Sequence, residues 1–347
     1  MKKNTNSLNV VIYGTGAIGA TLGGWLTQKY DHVFLLSRGE NAKSMKSNGL
    51  ILYERVNNNP QPIKVKIIEN LNEISSIDVV VIVVKNYNLE EVAKDISLNL
   101  NDKPIIVALQ NGIENQKILP KYFTKVIYGV LVLSAWQDDP GVFGNRGKGQ
   151  IYLGTLNNEN QELLERVSQI FNLGFPTKIT ARLQDAAHSK LIFNLINSVF
   201  TLIKVELQND DEIFKLWKIY INIFLEGVKI LQVAGFKEHK LKNLLAWRIM
   251  EALDKFDKET IIKNFKDDLK FYYLNSMAQD MIIRQKNTSE LESLNGYLLE
   301  LADLHRLEVP YNRIIYNLCK EHFNKIPYRP IQVDVVWKKI NENIKQE

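Results

Sequence analysis

The stretch that most constrains this chain lies close to its start. A strand-like run, Leu8-Asn9-Val10-Val11-Ile12-Tyr13, breaks into Gly14-Thr15-Gly16-Ala17-Ile18-Gly19 and continues as a helical pattern. Strand, glycine turn and helix in immediate succession predict a unit whose turn backbone can approach a phosphate. Gly14 permits the tight turn, Gly16 removes a side chain where backbone must come close, and Gly19 lets the helix pack near the strand. The helix N-terminus presents N–H groups and a positive dipole end to an anion. Gly14, Thr15, Gly16, Ala17, Ile18 and Gly19 are therefore the candidate cradle for a dinucleotide pyrophosphate.

The first half goes on alternating strands and helices. Strands are expected at 10–13, 32–36, 79–84, 105–108, 126–132, 151–153 and 177–179, with helices at 17–29, 89–99 and 161–173. The runs at 79–84 and 105–108 are apolar throughout, as parallel strands buried on both faces require. Asp138-Asp139-Pro140-Gly141 and the stretch 145–149 read as turns of a hairpin-like addition. Beyond residue 180 the pattern changes to apolar residues at helical spacing, as in Phe214, Trp217, Ile221 and Phe224 or Leu294, Tyr297, Leu298 and Leu301. Helix breaks are expected at Gly235, Pro310 and the Asn264–Asp268 region. The predicted class is α/β plus all-α: an N-terminal Rossmann-type doubly wound sheet followed by a helical C-terminal domain. The expected boundaries are 1–180 for the nucleotide-binding domain, 181–330 for a helical substrate and catalytic domain, and 331–347 for a C-terminal tail, of which Trp337–Glu347 reads as a solvated helix or a frayed end.

Composition narrows the partners. Apolar residues form 45% of the 347-residue chain and charged residues 24%, the balance of a globular protein with an ordinary core. A net charge of +5 spread over dispersed lysines offers no basic stripe for nucleic acid, whereas anionic small molecules suit it. Cys319 is the sole cysteine, so internal disulfides and multi-cysteine metal sites are excluded, and the five histidines lack metal-binding spacing. Met1-Lys2-Lys3-Asn4 runs directly into the first strand, and no apolar segment reads as a leader or a span. The expectation is a cytoplasmic protein with no metal, no nucleic-acid partner and no membrane partner. Trp217, Tyr220, Phe224, Trp247, Phe271, Tyr272 and Tyr273 could serve a core or a homodimer surface.

Polar residues gather where the apolar strands end. The second strand closes on Ser37-Arg38-Gly39, the third apolar strand on Lys85-Asn86-Tyr87, and the next on Gln110-Asn111-Gly112. An acidic residue after the second strand would hold ribose hydroxyls and repel a 2′-phosphate. A hydroxyl and a cation stand there instead, which favours NADPH. In the helical half Lys190, Asn194 and Asn197 follow i, i+4, i+7 spacing on one face of an otherwise apolar helix, with Ser198 beside them. A lysine buried there costs several kcal/mol unless it is paired or faces a cavity.

Taken together these pieces resemble the ketopantoate reductases (2-dehydropantoate 2-reductases) and their relatives. The matching motifs are GTGAIG, SRGENAKSMKSNGL at 37–50, VVKNY at 83–87, LQNGIEN at 109–115, the Lys190–Asn194 helix, SMAQD at 276–280 and SELESLNG at 289–296. They stand in family order from about residue 8 to 325. The resemblance implies reduction of the 2-oxo acid ketopantoate to pantoate, in pantothenate and coenzyme A synthesis, by hydride from NADP(H). By the same resemblance the three glycines would bind pyrophosphate, and Arg38 with Lys85 the 2′-phosphate side. Asn111 would sit between nicotinamide ribose and substrate, and Lys190 would be the general acid. Asn194, Ser276 and Glu290 would hold the 2-oxo acid, Glu290 also orienting the lysine, with Asn197 and Ser198 in the same pocket.

Three departures fall on that pocket. Where the family carries a second asparagine followed by proline, this chain has Ser198-Val199, with the amide one position earlier at Asn197. His188 replaces a tryptophan just before the lysine, and Ser289-Glu290 replaces Thr-Glu. They keep open a reductase of the same build acting on another 2-oxo or 3-oxo acid; a separate alternative is an NADPH-binding regulatory protein without turnover.

Overall fold

In the computed structural model, residues 7–55, 60–100, 104–272 and 275–344 are described, without the side chains of 268 and 270–272. The chain divides into two units, Met1–Gln184 and Asp185–Glu347. The first is built on an eight-stranded sheet. Across it lie Thr177–Ile179, Gln150–Gly154, Val126–Val132, Ile105–Ala108, Val79–Ile82, Val10–Tyr13, Val33–Leu36 and Ile67–Ile68. All neighbours are parallel except Val126–Val132 against Gln150–Gly154.

Val10–Tyr13, Val79–Ile82 and Ile105–Ala108 are buried at every position, because helices cover both faces of a parallel sheet. On one face Leu22 and Leu26 of the Ala17–Thr27 helix join Leu164, Val167 and Phe171 of the Gln161–Gly174 helix in a single apolar cluster with the strands. The Leu89–Asn99 helix buries Leu89, Val92, Ala93 and Ile96. From the central strand the chain steps to Val33–Leu36 on one side and later to Val79–Ile82 on the other. Strand order reverses at that point, so the carboxyl ends of these strands border the crevice where open α/β sheets take ligands.

The hairpin expected around Asp138–Gly141 forms between Ala135–Asp139 and Val142–Asn145, turning at Gly141 with φ +80°. Ile51–Glu54 adds to it in parallel. That strand and the Gly39–Asn48 helix were not anticipated, because neither shows the apolar periodicity of a buried element. The strand is half-exposed, and the helix buries only Ala42 and Met45.

The second unit is helical. Leu183–Leu202, Asp210–Val233, Trp247–Leu253, Lys258–Tyr272, Tyr297–Leu304, Pro310–Phe323 and Val333–Ile344 contribute to one core. Asn209 caps the second of these by accepting from the N–H groups of Asp211 and Glu212. The half-buried Glu226 carboxylate accepts from the Tyr311 and Asn312 N–H groups at 3.0 and 2.8 Å, which fixes the start of Pro310–Phe323.

Two expectations are corrected here. The Asn264–Asp268 region is no break: it lies inside Lys258–Tyr272, with Asn264 and Asp267 exposed while Ile261, Phe265 and Leu269 bury at i, i+4, i+8. The 331–347 segment is helical from Val333 to Ile344, as one reading of its end had it, but it is no free tail. Ile331–Gln332 pairs with Ile203–Lys204, and Val333, Val336 and Ile340 are core residues, while the exposed Lys338 lies on the opposite face. Lys345 lies outside the described residues. Of the two roles open to the aromatic residues, Trp217, Tyr220, Phe224 and Trp247 take the core of the unit itself. Tyr273 is outside the described residues, as are the side chains of Phe271 and Tyr272. No described helix is long and apolar enough to cross a membrane.

Candidate active site

In the sheet unit the glycine turn sits at the strand-order reversal. Gly14 has φ +102°, and a Cβ there would lie 2.9 Å from Val84 Cγ1 at the end of the neighbouring strand. Gly19 is tighter still, since its Cβ would stand 1.9 Å from the Gly14 carbonyl oxygen. These two glycines are required by packing. Gly16 differs: a Cβ there would meet nothing within 4 Å, so the space beside it is open. Gly16 is also the N-cap of the Ala17–Thr27 helix, with no capping side chain and no acid in the first turn. Its leading N–H groups therefore lack a side-chain cap, the arrangement that receives a phosphate. A dinucleotide pyrophosphate fits this cradle.

The strand ends beside it carry the expected polar groups. Ser37 is buried, its N–H donating to the Ile68 carbonyl at 2.9 Å, while its Oγ has no partner among the described residues. Arg38 is largely exposed and donates from Nε to the Glu69 carbonyl at 3.1 Å. Lys85 is half-buried at the head of a short 3-10 turn. Asn86 donates to the Asn111 carbonyl at 2.7 Å, and Gln110 Nε2 donates to the Ile82 carbonyl at 2.7 Å. Asn115 adds a hydrogen bond to Gln110 Oε1 at 3.2 Å. This amide lattice ties the Lys85 loop to the Asn111 loop. Asn86 and Gln110, which the sequence shows only as polar groups at strand ends, are thus positioning residues.

The helical unit holds the second group. Lys190 is half-buried on the Leu183–Leu202 helix. Desolvation pulls its ammonium down to about 8, against the opposing pull of the Glu290 carboxylate. Glu290 is buried just ahead of a π-helical turn, Glu292–Gly296, and its carbonyl accepts from Ser293 Oγ and Leu294 N–H at 3.1 Å each. One turn along from Lys190, the buried amide nitrogen of Asn194 donates to nothing among the described residues. An orphan of this kind costs about 1–3 kcal/mol. Asn197 follows on the same stripe, half-buried.

The stripe continues where it was not expected to. Thr201 completes an i, i+4, i+7, i+11 series, and its Oγ1 lies 3.4 Å from Asn275 Oδ1. Asn275 in turn accepts from the N–H groups of Met277 and Ala278 at 2.9 Å, capping the short helix that begins at Ser276. Ser276, remote in sequence, is brought to the far end of the Lys190 face in this way. A second π-helical turn, Gln279–Ile283, follows it directly. Such turns concentrate at functional sites.

Two expected pocket residues point elsewhere. Ser198 is fully buried, donating to the Leu195 carbonyl at 2.7 Å and accepting from Asn295 Nδ2 at 3.0 Å. It fastens helices together, since at eight residues from Lys190 it has rotated off the stripe toward its neighbours. His188 stacks on Phe236 with ring centroids 3.6 Å apart and bonds the Tyr297 hydroxyl at 2.8 Å. Two residues before Lys190 means the opposite helix face, so His188 is core. Asp280 of the SMAQD motif is buried and ion-paired to Arg284 and Lys286 at 2.9 and 3.0 Å.

A doubly wound sheet with a glycine cradle at its reversal point, joined to a helical unit carrying a desolvated lysine, defines the dinucleotide-dependent oxidoreductase class. The family model for ketopantoate reductase PanE/ApbA matches residues 10–158, and the model for the C-terminal part of the same family matches 182–323. The chain belongs to the ketopantoate reductase family. Among curated relatives, 2-dehydropantoate 2-reductase of Pyrococcus horikoshii is 28% identical over 323 residues, 90% of this chain and 97% of that one. Among solved structures, 2-dehydropantoate 2-reductase from Geobacter metallireducens superposes with TM-score 0.71 at 22% identity, covering 90% of this chain and 99% of that one. D-mandelate dehydrogenase, solved with NADH and anilino(oxo)acetate, superposes at 0.69 and 18% identity, covering 96% and 99%. These two structures share the fold.

Proposed function

We propose that the chain reduces a 2-oxo acid with NADPH, 2-dehydropantoate foremost, giving pantoate for pantothenate synthesis. The observation that carries this reading is the buried Asn194 amide nitrogen, without a partner among the described residues, one turn from an ammonium whose pKa burial has lowered to about 8. A donor left so, beside a proton source poised near neutrality, is matched by a ligand oxygen that accepts from both.

The coenzyme, when bound, supplies the hydride. Gly14, Thr15, Gly16, Ala17, Ile18 and Gly19 hold its pyrophosphate through backbone N–H groups. Arg38 and Lys85 receive the adenosine 2′-phosphate, and Asn111 serves the nicotinamide ribose and the substrate. Asn194, Asn197 and Ser276 orient the acid, while Ser198, committed to packing, supports the helix from behind. As the new C–H bond forms, the carbonyl π pair moves to oxygen and Lys190 Nζ delivers a proton there, later regaining one from water. Glu290 holds the lysine in its protonated form and in place.

His188 and Ser198 were the sequence grounds for a different oxo acid, and both lie in the helix packing. The test is coenzyme oxidation across a panel: 2-dehydropantoate with NADPH is expected to be turned over best. A marked preference for another 2-oxo or 3-oxo acid retires the pantoate assignment. Tight NADPH binding with no turnover of any acid supports the regulatory alternative.

A pH profile follows from Lys190. The protonated amine is the active form for ketone reduction, so kcat/KM is expected to fall about tenfold per pH unit above its pKa near 8. Glu290 raises that pKa, so Glu290→Gln is expected to move the falling limb to lower pH. A profile flat through this range removes Lys190 as the proton donor.

A further inference from the structure

We propose that Asp95 limits the preference of the sheet unit for NADPH over NADH by holding a fixed negative charge beside Arg38; this rests on the reading of Arg38 given above. Arg38 lies with its guanidinium carbon 5.9 Å above the Tyr13 ring, its Nη2 3.5 Å from the Tyr13 hydroxyl and 3.6 Å from Asp95 Oδ2. The aspartate is held in place from both sides. The Tyr13 hydroxyl donates to Oδ2, and Asn99 Nδ2 donates to Oδ1 at 2.8 Å. Burial and the carboxylate push the Tyr13 hydroxyl up to about 12, so it remains a donor across the working pH range.

Arg38 keeps its place without Asp95, because the Glu69 carbonyl takes Nε and the Tyr13 ring lies beneath. Stability does not explain the pair either, since an ion pair this exposed contributes little. What the carboxylate does change is the potential at the outer side of the guanidinium. A 2′-phosphate bearing nearly two negative charges is drawn by Arg38 and repelled by Asp95, whereas the neutral 2′-hydroxyl of NADH responds to neither in the same measure. Asp95 therefore weakens NADPH selectively.

The experiment is fluorescence titration of the full-length protein and its Asp95→Asn variant with NADPH and with NADH, without substrate. Asparagine keeps an acceptor for Tyr13 and removes the charge. NADPH is expected to bind about fivefold tighter to the variant and NADH within about twofold of wild type, with the gain shrinking at high salt. Asp95→Ser serves as the second charge-removing variant should Asp95→Asn fold poorly. Unchanged or weaker NADPH binding in a folded variant overturns the proposal. Binding of neither nucleotide by wild type overturns the coenzyme reading itself, and the proposal with it.

Discussion

Replacing Lys190 by alanine is expected to lower turnover of the 2-oxo acid about 10³-fold or more, since a positioned general acid and a cation facing the developing oxyanion are both lost. Nucleotide affinity is expected to stay at the wild-type level, because every residue assigned to the pyrophosphate and 2′-phosphate lies in the other unit. Lys190→Arg separates the two contributions. Arginine keeps the positive charge but cannot give up its proton, so partial rescue without the pH limb is the expected result. The fold tolerates either change, as the lysine is half-buried on a helix whose core-facing positions are filled by Leu191, Ile192 and Leu195. Near-normal turnover in Lys190→Ala removes the proposed mechanism.

The glycine turn yields the second large effect, and it divides cleanly between two residues. Gly16→Val is expected to abolish nucleotide binding with little change in Tm, since open space surrounds Gly16 and its φ of −72° suits any residue. Gly19→Ala is expected to cost stability as well. Its methyl would overlap the Gly14 carbonyl oxygen at 1.9 Å, forcing helix and turn apart at about 1–3 kcal/mol. Thermal melts beside nucleotide titrations check both. Wild-type NADPH affinity in Gly16→Val places the pyrophosphate elsewhere.

The steepest sequence signals came from elements buried on both faces. Val79–Ile82 and Ile105–Ala108 are legible because nothing polar is tolerated there, and the glycine turn because its three glycines answer to three separate constraints. Half-exposed elements carry weaker patterns. Ile51–Glu54 and Gly39–Asn48 show no clear pattern for that reason, and the lysines of 333–344 point to a solvated helix although its other face is core. In the helical unit the spacing of Lys190, Asn194 and Asn197 could be read as one stripe. Its extension to Thr201 could not, because threonine in an apolar helix reads as core until Asn275 is found against it. Ser198 is the converse case: a polar residue at a plausible position whose hydroxyl is spent on Leu195 and Asn295.

Local chemistry decides what one segment can do by itself, and the chain order alone settled the strand–glycine–helix cradle, the two-part architecture and the lysine-bearing helical face. It does so because backbone conformation and helical periodicity depend on residues a few positions apart. Only the tertiary structure decided which distant groups meet: Asn275 with Thr201, Asp95 with Tyr13 and Arg38. Charges and hydrogen bonds act over a few ångströms of space whatever the separation in sequence, so those pairings had to wait for the folded chain.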